Sequence, residues 1–293
     1  MRLAIAAALV LATAPALAQS PVQNIDFDRP ESWALKYFAA ATTFTGIGPP
    51  RVRKPGTIEL ALEAGYIPYL TLDQRRVGFD GTALEDLNKT LLLARPRLIL
   101  GLPGGISAEV GWIPPLEIHG GTSNLISAAL ERPFVEGRHL TLGLRAYGQL
   151  GHAKGDFTCP KEVVAEEPGS PENPQGCEAP SKDTSRLNFA GAALTGGVRL
   201  GPRGEALHFA VGGTYNDLAF QVGAVTFGHL DDTRLATHGW TGWVAGGVGG
   251  PLGERTWFGF EAFYSPLKVK RPDRASETDG YFNVRAMLRY RIH

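Results

Sequence analysis

The sequence has little of what many enzymes depend on. Its 293 residues include two cysteines and two methionines, and 29 basic side chains are balanced by 29 acidic ones. A neutral chain has no electrostatic claim on nucleic acid. It carries no glycine-rich phosphate loop, no metal-spaced His/Cys set and no nucleophile elbow, so no cofactor or metal is expected. After the first residues there is no apolar run long and uncharged enough to cross a bilayer as a helix, which argues against an inner-membrane helical protein. Glycine, by contrast, is abundant at 37 residues.

The start of the chain reads as an export signal. Met1-Arg2 is a short positive region, residues 3–14 are apolar, and Ala16-Leu17-Ala18 is a small-x-small cleavage signal, so the mature chain is expected to begin at Gln19. No cysteine follows that site, so a lipid anchor is not expected there. The organisation read from the sequence is a signal peptide at 1–18, a periplasmic N-terminal segment with a short helix at 19–56, and a β-barrel at 57–293.

Within 19–56, Asp28 is placed to cap a helix and Glu31 to close a capping box. Trp33, Tyr37 and Phe44 then recur near helical spacing, which predicts a helix over 31–43. That helix could pack under the barrel, inside it, or on the inner leaflet as an amphipathic anchor. Residues 46–56, with three prolines and several basic side chains, read as a linker.

The last stretch, 281–293, sets the fold class. Val284, Ala286, Leu288, Tyr290 and Ile292 fall on one side of a strand, and Asn283, Arg285, Met287, Arg289, Arg291 and His293 on the other. An apolar face backed by three arginines suits a membrane barrel, with lipid outside and a polar lumen inside. The bland reading is an exposed edge strand of a soluble β-protein. The same alternation recurs along the chain, with a bulge expected at Gly196-Gly197. Short connections at 103–105, 133–138, 201–205 and 250–254 alternate with longer ones at 71–91, 114–121, 152–185, 216–234 and 265–280. Nine connections give ten antiparallel strands of an up-and-down transmembrane barrel, an even number that leaves both termini in the periplasm. Twelve strands result if 216–234 holds two more.

The signal peptide, the ten-residue alternating strands and the alternating turn lengths resemble bacterial outer-membrane β-barrel proteins over residues 57–293. The resemblance implies residence in the outer membrane of a Gram-negative-type envelope, with membrane lipid and the barrel-assembly machinery as partners; it leaves the oligomeric state open. Many such proteins end in an aromatic residue, whereas this chain ends Tyr290-Arg291-Ile292-His293.

Candidate functional residues fall in three groups. Glu59, Glu63, Glu109, Glu131 and Glu261 face the predicted lumen opposite Arg95, Arg97, Arg145, Arg199, Arg285, Arg289 and Arg291. They suit either a charged constriction that selects small polar solutes or a salt-bridged filling. His229, Asp231, Asp232 and His238 cluster near one hairpin tip. Surface proteases of the omptin type resemble this in using aspartate–aspartate and aspartate–histidine pairs at the outer rim, so the four would be the catalytic set of a rim hydrolase; turn chemistry is the plainer reading of adjacent aspartates. His152 and Ser265 would serve a lipid hydrolase. Cys159 and Cys177 lie in one exported loop and are each other's only intramolecular partner, which predicts a disulfide. Closing about 18 residues contributes roughly 3 kcal/mol by loop entropy. Glu162, Glu166, Glu167 and Glu172 in that loop would bind a divalent cation or form a solvated surface. The functions in view are a surface barrel or narrow channel, a rim hydrolase, and an adhesion barrel acting through its external loops.

Overall fold

The computed structural model describes residues 20–201 and 204–292. Residues 1–19, which include the segment read as a signal peptide, together with 202–203 and His293, lie outside the described residues. Ten strands close into a single antiparallel barrel: β1 (Ile58–Tyr66), β2 (Leu92–Gly101), β3 (Ser107–Ile113), β4 (Thr122–Glu136), β5 (Leu140–Gly155), β6 (Asp183–Arg199), β7 (Ala206–Gln221), β8 (Arg234–Pro251), β9 (Thr256–Ser265) and β10 (Tyr281–Arg291). Each strand pairs with its neighbour in sequence, and β10 pairs with β1 in the register Ala286↔Ala64 and Leu288↔Leu62 to close the ring. Closure leaves no strand edge with unpaired backbone groups.

Period-two alternation fixes which side chains face in. On β10, Asn283, Arg285, Met287 and Arg289 are buried while Phe282, Leu288 and Tyr290 are exposed. Leucines, valines and phenylalanines such as Leu62, Leu98, Leu130, Leu144, Val211, Val248 and Phe260 form the outward band. Exposed aromatics ring it at both ends. Tyr66, Trp112, Tyr215, Trp240, Tyr264 and Phe282 stand toward the long loops, and Phe134, Phe209, Phe258 and Tyr290 toward the short turns. An apolar belt between two aromatic girdles is the outside of a barrel that sits in lipid.

The loops alternate as expected, and the hairpin between β7 and β8 adds no membrane strands. It carries a small ribbon, Ala224–Thr226 against His229–Asp231, which pairs with Cys177–Ala179 from the β5–β6 loop. The disulfide Cys159–Cys177 closes that loop.

Several local expectations are corrected. The turn expected at 133–138 is only three residues long; β4 runs on through Pro133 because a register shift between Pro133 and Val135 accommodates the residue that lacks an N–H. No bulge exists at Gly196-Gly197, where β6 keeps register with both neighbours. The alternation slips there for another reason: the Phe209 ring covers Gly196 from outside, and Pro49 fills the space inside Gly197.

The helix, α1 (Pro30–Ala41), begins at Pro30 with Arg29 as N-cap and no side-chain cap; Glu31 bonds the Arg29 guanidinium instead of closing a capping box. Residues 20–56 take the inside placement that the sequence left open for the helix. Val22–Asn24 pairs in parallel with Arg234–Ala236 at the long-loop end of β8. The chain then enters the barrel as α1 and runs down the lumen to β1 at the short-turn end, where the Thr57 backbone N–H donates to Lys54 O at 3.0 Å. The barrel begins at Ile58 and ends at Arg291 on the short-turn side, while Ser20 lies at the long-loop end.

Wall glycines make room for this thread. A Cβ on Gly111 would meet the Phe44 ring at 2.8 Å, and one on Gly143 would meet Pro50 at 2.8 Å. Gly48 on the thread has φ +115°, a conformation that L side chains rarely adopt, and lies against Arg289 and Trp257.

Candidate functional site

Two places gather functional groups: the lumen, and a crown at the long-loop end. In the lumen the wall arginines reach the thread's backbone. Arg95 donates to Thr42 O at 2.6 Å, Arg97 to Thr45 O at 2.8 Å, Arg145 to Phe44 O at 3.2 Å and Arg289 to Ile47 O at 2.6 Å. Arg285 donates to Thr43 O at 2.6 Å and to Ala40 O at 3.0 Å, at the carbonyl end of α1 where cations are favoured. The Phe44 ring lies under Arg97 at 4.4 Å and under Arg95 and Arg145 at 5.1 Å each.

Glutamates neutralise these cations. Glu63 is bonded to Arg97; Glu109 takes Arg97 at 2.7 Å and Arg145 at 2.8 Å. Glu59 takes Arg51 at 2.6 Å and Arg53 at 3.1 Å, both on the thread. Glu261 accepts Thr45 Oγ1 at 2.6 Å, and Glu131 accepts Thr195 Oγ1 at 3.2 Å. Of the lumen charges read from the sequence, Glu59, Glu63, Arg97, Glu109, Glu131, Arg145, Glu261, Arg285 and Arg289 are all buried inside the barrel. Arg199 and Arg291 are exposed at the short-turn rim, because each ends its strand there. The partner these charges serve is the thread from Ala40 to Ile47, whose place inside the barrel the sequence left as one of three alternatives.

The crown is built from α1, the β1–β2 loop, the β5–β6 loop and the β7–β8 loop. Asp183 ties it together, accepting from Thr158 N at 2.8 Å, Ser181 Oγ at 2.7 Å and Gly223 N at 3.0 Å. Beneath lies a cavity of about 290 Å³ with mostly apolar walls, among them Leu35 and Phe38 of α1, Leu87, Phe157, Phe220 and Val222. Glu85 and Ser185 are buried in its lining, and Glu85 Oε2 and Ser185 Oγ have no hydrogen-bond partner. At its edge Phe79 and Asp80 both have positive φ, at 47° and 60°. Glu31 accepts Asp80 N at 2.7 Å and Arg29 lies 3.3 Å from the Asp80 carboxylate, so α1's first turn holds this strained turn in place.

The four residues expected as a hydrolase set are not brought into one site. His229 is exposed on the ribbon, Asp231 lines the cavity and accepts Thr233 N, Asp232 is bonded to Ser20, and His238 faces out beside Tyr215. His152 and Ser265 lie on β5 and β9, which are not neighbours, and Ser265 Oγ donates to Gly242 O at 2.8 Å. Among the described residues no group of three or more His, Cys, Asp or Glu is placed to hold a metal ion.

A closed ten-strand barrel with an apolar, aromatic-girdled outside decides the class. The protein is an outer-membrane β-barrel. No family model and no curated protein matches the chain. Among solved structures it is similar to an outer membrane channel from Pseudomonas putida F1, at 10% identity over 85% of this chain and 100% of that one, with a TM-score of 0.42. It is similar also to the translocator domain of the autotransporter NalP from Neisseria meningitidis, at 11% identity over 82% and 90% of the two chains and a TM-score of 0.40. The outer membrane protease OmpT from Escherichia coli is 10% identical over 86% of this chain and 100% of its own, with a TM-score of 0.38. At such identity the likeness is one of architecture.

The crown has a pH dependence of its own. Burial, together with the charges of Asp183, Glu31 and Asp231 and against the Thr158 hydroxyl, pushes the Glu85 carboxyl from its ordinary 4.5 up to about 8; of the nearby cations, Arg29 is bonded to Glu31, and Arg75 donates to the Glu85 backbone carbonyl at 3.0 Å. The folded crown therefore keeps a proton that the unfolded chain releases. This stability is full below the unfolded value and is lost as pH rises through the folded one. Thermal unfolding of the wild type should shift down between about pH 5 and about pH 9, and Glu85→Gln should flatten that part of the curve. An equally steep fall in the variant would contradict the assignment.

Proposed function

We propose that the protein works as a closed surface barrel whose external crown, rather than its lumen, meets the outside. The observation that carries this reading is the thread: residues 40–47 occupy the lumen with five wall arginines on their carbonyls. A path for polar solutes would need those bonds broken, and each hydrogen bond to a charged group contributes about 1.5–3 kcal/mol. The narrow-channel reading thus becomes a secondary state that requires the thread to leave. The rim-hydrolase reading has no assembled site to support it. The adhesion reading keeps the disulfide-closed loop and the ribbon as its support, and both belong to the crown.

In such barrels the long loops face outside. On this reading Ser20, bonded to Asp232 in the β7–β8 loop, is external, and the start of the described chain is displayed on the cell surface, its thread running back through the barrel.

Two measurements test this. In planar bilayers the refolded full-length protein should be electrically silent, and excision of 20–48 should produce discrete openings. If the excised chain does not assemble, Phe44→Gly combined with Arg285→Ala serves instead. Steady conductance from the intact protein would refute the closed barrel. An epitope placed after Ser20 should bind antibody on intact cells; reactivity only after the outer membrane is breached would refute the external N-terminus.

A further inference from the structure

The crown cavity has features that neither a closed barrel nor a filled lumen requires. Its walls are apolar, yet two buried polar atoms, Glu85 Oε2 and Ser185 Oγ, line it without partners, with the Thr158 hydroxyl beside Glu85. Glu85 is 6% exposed and Ser185 is fully buried. Leaving such groups unsatisfied is costly, so their retention points to something that satisfies them. Gly78 keeps the place open for the carboxylate: a Cβ there would collide with Glu85 Oε1.

The charge around the cavity has one sign to spare. Glu31, Glu85 and Asp231 line it, and Asp183 lies close enough to raise Glu85. Arg29 is the cation in the lining, and it is already bonded to Glu31 and close to Asp80. An anion would meet this acidic group unfavourably. A neutral alcohol offers a single donor to three acceptor oxygens. An ammonium group offers several donors and a positive charge, and the rings of Phe38, Phe157 and Phe220 in the wall favour a cation. The apolar area suits a hydrocarbon body.

We propose that this cavity binds a small hydrophobic ammonium ion, with its body between α1 and the Phe157 and Phe220 rings and its N–H groups on Glu85, Ser185 and Thr158. The ligand enters from the long-loop side, beside the strained Phe79-Asp80 turn. The site rests on the closed-barrel reading only in that α1 must be seated to form one wall.

The test uses the full-length protein in detergent micelles and titration calorimetry at about pH 9, above the value of about 8 for the empty site, so that Glu85 is ionised and the ammonium still protonated. The probes are 2-phenylethylammonium, its neutral isostere 2-phenylethanol, and 3-phenylpropionate. The ammonium should bind at least about ten-fold more tightly than the alcohol, and the carboxylate should not bind, as expected when a charge-assisted hydrogen bond is available to only one of them. Glu85→Gln should remove the ten-fold preference, and Leu35→Trp, which fills the cavity, should abolish binding of both. If Glu85→Gln fails to fold, Ser185→Ala should weaken the ammonium and leave the alcohol unchanged. Equal affinity for ammonium and alcohol, or a preference that survives both Glu85→Gln and Ser185→Ala, would overturn the proposal. So would binding undiminished by Leu35→Trp, which would place the ligand in the micelle. A silent barrel without ammonium preference would overturn this inference alone; a conducting one without it would overturn the closed barrel as well.

Discussion

The structure depends on the bond between an inward-facing arginine and a backbone carbonyl of the thread. A barrel of ten strands has an interior that must be filled, hydrated or charged, and this one is filled by its own N-terminal chain. A stretch such as Thr42–Thr43–Phe44–Thr45, lying beyond the end of α1, has carbonyls with no helix or sheet to take them. Arg95, Arg97, Arg145, Arg285 and Arg289 supply the donors, each from a different point on the wall. Their charge then calls for Glu63 and Glu109, and the flat guanidinium groups stack on Phe44. Remove the thread and the arginines lose their carbonyl acceptors, with Arg97 and Arg145 keeping only their glutamates; remove the glutamates and those two arginines are buried without a counter-charge.

That dependence explains why so much of the barrel is legible in the sequence. Strand alternation reads directly from Leu60, Leu62, Ala64 against Glu59, Ala61, Glu63, because lipid on one side and charge on the other leave no ambiguity of face. Loop lengths alternate for a reason imposed by the membrane. The same reading failed at Gly196-Gly197 and Pro133. In both places the local irregularity answers to something distant or to backbone chemistry: Pro49 and the Phe209 ring at the glycines, a missing N–H at the proline.

The thread itself was only half legible. Trp33, Tyr37 and Phe44 announce a helix with a buried side, but its residues are buried nearly all round, including Lys36, whose Nζ donates to Phe27 O at 2.5 Å and Lys268 O at 2.7 Å. A helix enclosed by a barrel has no solvent face to mark its orientation, so periodicity alone could not say whether it lay under, inside or beside the strands. The crown was less legible still. Glu85 sits in a loop with no periodic pattern, and its surroundings, Asp183, Glu31 and Asp231, come from three other segments. Asp231 was noticed in the sequence as a catalytic candidate next to His229, whereas its neighbours in the fold are the cavity walls.

The central claim is that residues 40–47 cross the lumen, and a cysteine pair tests it most directly. Ile47 and Met287 are buried in one cluster with Ala61, Ile99 and Trp257. With Ile47→Cys and Met287→Cys in the full-length protein, oxidation in native membranes should join the two residues, and proteolysis should recover the thread attached to β10. Two free thiols at these positions, both open to a membrane-impermeant label, would contradict the account.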